Sequence, residues 1–220
     1  WFAFSSFATP GSIWRYDAAT NTAEVVRQAK VAFNPADYTV SQVFYPSKDG
    51  SKVPMFVAHR KDVDVSKPHP TLLYAYGGFN ISSTPGFSVS RLVWMEMGGV
   101  YAMPNLRGGG EYGPAWHQAA LKENRHLAYE DFFAIGEALV ETGVTTPEKL
   151  GAIGRSNGGL LMGAVLTQRP DLYAAIDCGV PLLDMLRYHR LLAGASWMGE
   201  YGNPDVPVER AYLETYSPYQ

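Results

Sequence analysis

The stretch that decides the fold is residues 149–169, KLGAIGRSNGGLLMGAVLTQR. It places a Gly-x-Ser-x-Gly-Gly motif between a short apolar run and an amphipathic helical pattern. Leu150 to Ile153 are predicted to form a buried strand, and residues 157–168 a helix that ends before Pro170. This order of strand, serine turn and helix predicts a nucleophile elbow with Ser156 at its tip.

The neighbours of the motif carry this interpretation, because the motif alone also arises by chance. An elbow holds its serine in a strained backbone conformation, so the side chains around it must be almost absent. Gly154 and Gly158 provide that room, and Gly159 permits close packing of the helix. We therefore interpret Ser156 as a catalytic nucleophile, in preference to a residue of a glycine-rich turn that only packs.

Composition narrows the classes of function. With 220 residues, 46% of them hydrophobic, the chain can bury the core of one α/β domain or slightly more. The formal charge is −3 and the basic residues are scattered, so we expect no nucleic-acid partner. The single cysteine, Cys178, excludes an internal disulfide and a cysteine-based metal site. No apolar run approaches the length of a membrane span, so we expect no membrane partner.

The first 35 residues are predicted to form three short strands, at residues 2–6, 13–16 and 24–26, separated by turn residues. Three antiparallel strands of this kind are too small to be a whole domain. They extend the main sheet or end a truncated β domain, and we favour the second alternative. The chain begins with Trp1 rather than Met, so we expect it to be part of a longer protein.

The remaining residues alternate between strands and helices. An antiparallel hairpin is predicted around an Asp-Gly turn, with strands at residues 40–45 and 54–59. Later strands are predicted at residues 71–76, 100–105, 150–153 and 174–180, and helices at 91–97, 130–141 and 157–168. This pattern predicts the α/β class with a mostly parallel sheet, here a partial α/β-hydrolase fold.

Two hydrogen-bond donors are expected beside the candidate nucleophile. The backbone N–H of Asn157 lies at the start of the helix, where it can meet a developing oxyanion. A second donor should come from the loop after the third strand of the fold. Either the Tyr76 phenol or a backbone N–H of the Gly77-Gly78 turn can provide it.

An acid and a base are not found. In this fold the serine is followed by Asp or Glu and then by His, but His189 is the only histidine after Ser156. It lies in a predicted helix over residues 184–193, so we interpret it as a surface or packing residue. Both missing groups are expected beyond Gln220. The Arg107 to Glu111 stretch is predicted to be a structural turn, and no histidine has metal-ligand spacing.

Four ordered motifs give the chain a family resemblance. They are YGGFN at residues 76–80, NLRGGGEYG at 105–113, GRSNGG at 154–159 and ASWMGEYG at 195–202. With FYPSKDG at 44–50, the sequence resembles the prolyl oligopeptidase family of serine peptidases nearly from end to end. In that family a seven-bladed β-propeller caps an α/β-hydrolase domain. The resemblance implies that residues 1–35 end the last blade and that residues 36–220 are the truncated first part of the catalytic domain.

The resemblance also implies roles for individual residues. Ser156 becomes the nucleophile, and the Asn157 N–H and the Tyr76 hydroxyl form the oxyanion hole. The apolar pocket for the residue before the cleaved bond is formed by Phe79, Leu182, Trp197 and Tyr201, with Trp197 facing the proline ring. Leu182 stands where a smaller branched residue is usual. The family's Asp, His and substrate-binding arginine fall beyond Gln220.

The sequence is thus expected to belong to an endopeptidase that cleaves short peptides after proline without a cofactor or metal. Without a base, the 220 residues alone are expected to be inactive. Three alternatives stay open: a related oligopeptidase that cuts after basic residues, a carboxylesterase, and a non-catalytic hydrolase-fold module. The first of these needs acidic groups in the pocket, and Trp197 and Tyr201 disfavour it, although Glu200 lies between them. We expect a cytoplasmic monomer, with a periplasmic or secreted location left open.

Overall fold

The structure is a computed structural model that describes residues 1–220. The strands are β1 (Phe2–Phe4), β2 (Ser12–Asp17), β3 (Thr22–Gln28), β4 (Tyr38–Pro46), β5 (Lys52–Arg60), β6 (Thr71–Tyr74), β7 (Val100–Pro104), β8 (Leu150–Arg155) and β9 (Ala175–Gly179). The helices are α1 (Val89–Glu96), α2 (Pro114–Gln118), α3 (His126–Glu141), α4 (Asn157–Gln168), α5 (Met198–Tyr201) and α6 (Pro207–Glu214). No helix is both long and apolar enough to cross a membrane.

The main sheet has six strands in the order β4-β5-β7-β6-β8-β9. The β4–β5 hairpin and the β5–β7 pair are antiparallel, and the remaining neighbours are parallel. Consecutive parallel strands are joined through helices, as crossover connections require. The predicted α/β-hydrolase fold with a mostly parallel sheet is therefore confirmed.

Alternating side chains divide the core between the two faces of this sheet. Leu73 and Ala102 pack on the side of α3 and α4, in the larger apolar cluster. Tyr101 and Met103 point the other way and pack with Met95 of α1. This period of two places helices on both faces, so the carboxyl ends of the parallel strands are left for the site.

The first three strands form a separate antiparallel sheet, in the order β1-β2-β3. The alternative that they extend the main sheet is therefore wrong. Strand β3 is exposed along its whole length, but the segment between β1 and β2 is anchored. Phe7 and Ala8 from that segment are buried among Tyr101, Met103 and Leu92 of the main domain. The assignment of this sheet to a propeller blade stays a prediction.

The helix predicted over residues 184–193 is wrong. The chain forms turns there, with only a short 3-10 segment at Tyr188–Arg190. Tyr188 is buried and its ring packs edge to face on Tyr201, with 5.4 Å between centroids. This tertiary contact, rather than helical periodicity, decides the local conformation. Helices α2, α5 and α6, of five, four and eight residues, were not predicted.

Candidate active site

Ser156 lies at the tip of a sharp turn between β8 and α4. Its backbone angles, φ 59° and ψ −117°, are strained for a residue with a side chain. The Ser156 N–H donates to the Gly179 carbonyl at 3.0 Å. A Cβ at Gly158 would lie 2.6 Å from the Ala75 carbonyl oxygen, and one at Gly154 would contact the Gly158 backbone. The motif glycines are therefore required sterically, and they leave the serine exposed.

Two donors lie beside this serine. Asn157 is the first residue of α4, so its N–H has no acceptor within the helix and lies at the positive end of the helix dipole. The Tyr76 side chain lines the same cavity as Ser156. Burial raises the pKa of the Tyr76 phenol, and hydrogen bonding to Ser156 opposes part of that rise. The phenol thus keeps its proton at neutral pH and can act as a donor.

A cavity of about 150 Å³ opens next to Ser156. Its volume suits one side chain, since pockets for whole ligands are typically about 300 Å³ or more. The structure brings six predicted site residues together in its wall: Ser156, Tyr76, Phe79, Leu182, Trp197 and Tyr201. The seventh residue, Ile81, was missed, and its only signal was its place two positions after Phe79 in the same loop.

A larger groove lies elsewhere, between the end of β4 and the outer face of α3. Its volume is about 770 Å³, and its wall includes Tyr45, Lys48, Glu130 and Arg169. It contains none of the predicted site residues. Size alone does not mark the candidate site, whereas a strained serine with two convergent donors does.

The aromatic side of the small cavity is rigid. Phe79 and Tyr201 pack edge to face, with 5.5 Å between ring centroids and 80° between ring planes. Tyr201 is fully buried, and its hydroxyl donates to Asn157 Oδ1 at 2.7 Å. Phe79 has φ 56°, which is uncommon for a residue with a side chain. The aromatic wall and the elbow are therefore joined by a direct hydrogen bond.

A buried polar cluster beneath the cavity was not predicted. Arg125 lies at its centre, donating from Nη1 to Glu200 Oε1 at 3.0 Å and from Nη2 to Asn157 Oδ1. The guanidinium carbon of Arg125 lies 4.9 Å from the centroid of the Tyr201 ring. Burial opposes the charge of Arg125, but Tyr201, Tyr129 and Glu200 raise its pKa above the ordinary value.

The Glu200 carboxylate is fully engaged by this cluster. Oε1 also accepts the Phe79 N–H at 2.8 Å, and Oε2 lies 2.8 Å from His117 Nε2. Both Glu200 and Arg125 are nearly inaccessible to solvent. No local pattern could reveal this pairing, because the two residues are 75 positions apart in the sequence.

His189 does not lie at the candidate site. Its Nε2 is 3.1 Å from Asp205 Oδ2, and no histidine or carboxylate lines the cavity beside Ser156. The interpretation of His189 as a packing residue agrees with this position, although the helix predicted around it is absent. No three His, Cys, Asp or Glu side chains form a group that could hold a metal ion.

Comparison with known proteins adds an independent finding. Residues 85–220 match the family described as the prolyl oligopeptidase family. The prolyl endopeptidase of Elizabethkingia meningoseptica is 48% identical over 99% of the chain and 31% of that protein. A solved prolyl endopeptidase structure superposes with a TM-score of 0.95 at 50% identity, over 99% of the chain and 32% of that structure. The solved structure of oligopeptidase B of Leishmania major superposes with a TM-score of 0.92 at 36% identity, over 98% of the chain and 31% of that structure.

Proposed function

The chain belongs to the prolyl oligopeptidase family, and we propose that it is part of a serine endopeptidase that cleaves short peptides on the carboxyl side of proline. The chain spans about a third of the length of the relatives that it matches. The observation that carries the proposal is the position of the strained Ser156 beside an aromatic cavity that suits one side chain.

The proposed reaction begins when the Ser156 hydroxyl attacks the carbonyl carbon of the substrate's proline and passes its proton to a general base. The Asn157 N–H and the Tyr76 hydroxyl donate to the oxygen that becomes negative, each typically worth about 10² to 10³ in rate. The C–N bond then breaks, and the amine leaves with the proton from the base. Water hydrolyses the resulting ester on Ser156 in the same manner.

The cavity wall contains no general base. His189 does not line the cavity beside Ser156, so we propose that the base and its acid partner belong to a part of the protein outside these 220 residues. The 220 residues alone should then leave a proline anilide uncleaved, because Ser156 stays protonated. An ordinary enzymatic rate from the isolated chain, shown to be folded by circular dichroism, would contradict this.

The cavity favours proline over other residues. A proline ring is flat and apolar, and it gains stacking against aromatic walls such as Phe79, Trp197 and Tyr201 without needing a hydrogen bond. A basic side chain would instead need an unpaired carboxylate. Glu200 cannot provide one, since its Oε1 accepts hydrogen bonds from Arg125 and Phe79 and its Oε2 lies 2.8 Å from His117 Nε2. The proximity of Glu200 to the pocket therefore gives little support to cleavage after basic residues.

The test compares blocked peptide anilides that differ only in the residue before the anilide, proline or arginine. In the full-length protein, kcat/KM should favour proline by more than about 100-fold, or about 2.7 kcal/mol in transition-state binding. Ser156→Ala should lower kcat by about 10⁴-fold or more. Ser90→Ala, an exposed serine on α1, is the matched control and should leave kcat unchanged.

Each alternative gives a different result. Preference for arginine would indicate an oligopeptidase that cuts after basic residues, and turnover of short acyl esters alone would indicate a carboxylesterase. A full-length protein whose Ser156 does not react with a fluorophosphonate would be a non-catalytic module. The cytoplasmic location and the monomeric state stay predictions, and sedimentation of the full-length protein tests the second.

A further inference from the structure

Arg125 lies below the candidate oxyanion hole without lining the cavity. Its side chain is 1% exposed and contacts two residues that connect to the hole, Asn157 and Glu200. A third bond, from Nη1 to the Ala120 carbonyl at 3.4 Å, ties it to the residues before α3. The substrate cannot reach this guanidinium, so any effect on the reaction must be transmitted through its partners.

On the basis of the proposed serine-peptidase function, we propose that Arg125 is a positioning residue that sets the distance between the two oxyanion donors. The first step runs through the Asn157 side chain. Its Oδ1 accepts from Arg125 and from Tyr201, and its Nδ2 donates to the Tyr76 carbonyl at 2.5 Å. One amide thus joins the residue that carries the first donor to the residue that carries the second.

Arg125 also fixes which way this amide faces. A guanidinium has only donors, so it accepts Oδ1 as a partner and rejects the NH₂ group of Asn157. Nδ2 is then directed at the Tyr76 carbonyl, which has only lone pairs to offer. Without Arg125 only the Tyr201 hydroxyl and the Tyr76 carbonyl itself orient the amide, so the bond that holds the Tyr76 backbone is less strongly enforced.

The second step runs through Glu200 to the other end of the same turn. Glu200 Oε1 accepts both the Arg125 guanidinium and the Phe79 N–H, and the latter holds Phe79 in its left-handed conformation. Charge-assisted bonds of this kind are roughly twice as strong as neutral ones. Arg125 therefore braces residues 76–79 at both ends, through Asn157 at Tyr76 and through Glu200 at Phe79.

The middle of the turn rests on the guanidinium itself. A Cβ at Gly78 would lie 2.8 Å from Arg125 Nη2 and 2.6 Å from Asn157 Nδ2. Only a glycine allows the backbone to approach this closely. A shift of about 1 Å in a positioned group can cost about 10² in rate, so loss of the brace should affect kcat more than substrate binding.

The experiment measures kcat and KM on a proline anilide with Arg125→Met and Arg125→Lys in the full-length protein. Rates are divided by the concentration of sites that react with a fluorophosphonate, which removes any unfolded fraction. Arg125→Met should lower kcat roughly 10- to 100-fold with KM changed less than about 3-fold. Arg125→Lys keeps the charge but cannot bridge both partners, so it should lose less. Arg210→Met, an exposed arginine on α6, is the control and should change neither constant.

Tyr76→Phe separates positioning from a purely structural role. If Arg125 acts by placing the Tyr76 hydroxyl, substituting Arg125 in the Tyr76→Phe variant should lower kcat by less than about 3-fold further. The proposal would be overturned if the losses in kcat from the Arg125 and Tyr76 substitutions multiplied in the double variant. It would also be overturned if Arg125→Met and Arg125→Lys kept the full kcat per titrated site. If Arg125→Met does not fold, the cycle of Arg125→Lys with Tyr76→Phe decides in the same way.

Failure of the proposed function gives a distinct result. If the unsubstituted protein reacts with the fluorophosphonate but cleaves no proline anilide, the proposed specificity is wrong. The rate of fluorophosphonate reaction, which also develops charge on oxygen, then tests Arg125 with the same variants. If Ser156 does not react at all, the proposed function and the positioning role of Arg125 are both overturned.

Discussion

Two buried arginines, Arg107 and Arg125, use the same chemistry for different ends. Arg107 forms a paired contact with Asp131 of α3, with Nε 3.0 Å from Oδ2 and Nη2 2.6 Å from Oδ1. Its Nη1 reaches Asp49, in the β4–β5 turn, at 2.5 Å. Arg125 has one carboxylate partner, one side-chain amide partner, one backbone carbonyl partner and an aromatic face, and its Nε has no partner.

The two clusters differ in the further contacts that the partners of each arginine make. Asp131 and Asp49 belong to elements that build the domain, and Asp131 also accepts the Arg107 N–H. That cluster joins a helix, a hairpin and the end of β7, and none of its residues lines the Ser156 cavity. The partners of Arg125 continue into Tyr76 and Phe79 at the site. A buried ion pair thus does not by itself indicate a role in function. The further contacts of its partner residues show whether it is connected to the site.

Arg107→Met should produce the largest effect in the molecule, and it should be an effect on stability. It leaves Asp131, which is fully buried, as an unpaired charge. Breaking a buried pair from one side costs about 3–5 kcal/mol. We expect the free energy of unfolding in urea to fall by that amount, while kcat per titrated site stays within about 2-fold of the unsubstituted value.

Arg210→Met is the control for Arg107→Met. Its pair with Glu214 on α6 is exposed, so its loss should cost less than about 1 kcal/mol. The comparison between the two arginines breaks down if Arg107→Met lowers kcat per site as far as Arg125→Met does, because both clusters would then act on the site.

Gly78→Ala tests the Arg125 cluster by changing the backbone that lies against it. Gly78 is not among the residues with positive φ, so an alanine fits its conformation and only the contacts matter. The new methyl would lie against the Asn157 amide and the Arg125 guanidinium. We expect kcat to fall roughly 10- to 100-fold as these groups move. Gly11→Ala, where nothing lies within 4 Å, should have the kcat of the unsubstituted protein; an equal kcat for Gly78→Ala would show that the turn does not rest on Arg125.

The sequence predicted the part of the candidate site around Ser156. Period and turn residues placed α4 correctly at residues 157–168, because a strand, a glycine-rich turn and an amphipathic helix are all local patterns. The family resemblance then placed Trp197 and Tyr201 in one cavity with Ser156, although they are 41 and 45 positions away. Motif order carried information that periodicity lacks.

The Arg125 cluster could not be predicted in the same way. A buried arginine has no sequence signature until its partner is known, and Glu200 is far along the chain. The same reason explains the wrong helix at residues 184–193. Its polar and apolar residues have a helical spacing, but the buried Tyr188 is fixed by contact with Tyr201. Local patterns fail where a distant residue sets the conformation.

Tyr201→Phe isolates one hydrogen bond of the cluster. The ring stays in the cavity wall and above Arg125, and only the bond to Asn157 Oδ1 is lost. One such bond contributes about 1 kcal/mol, so kcat should fall about 5-fold with KM nearly unchanged. Tyr188→Phe is the matched control, because its hydroxyl donates to the Gly202 carbonyl, away from Asn157. It should lower stability and leave kcat unchanged; equal kcat losses in both variants would mean that the bond from Tyr201 to Asn157 has no effect on kcat beyond that of losing any buried tyrosine hydroxyl.

The smallest expected effect is a change in the pH dependence of stability, which tests the Arg107 cluster. Hydrogen bonding to Arg107 lowers the pKa of Asp49 from 3.8 to about 2. The folded protein therefore binds this proton less tightly than the unfolded chain does. Asp49 stabilises the fold above about pH 4, and the contribution is lost as the pH falls towards 2. The carboxylate is 41% exposed, so solvent screening keeps the gain small.

Asp49→Asn should consequently be slightly less stable than the unsubstituted protein in urea at pH 6, and the two should converge as the pH approaches 2. Glu141→Gln, an exposed carboxylate at the end of α3 outside the cluster, should keep the pH dependence of the unsubstituted protein. A difference between Asp49→Asn and the unsubstituted protein that persists unchanged at pH 2 would place the effect in the turn itself. Arg107 would then hold the hairpin through Asp131 and Ser47, without help from the exposed carboxylate.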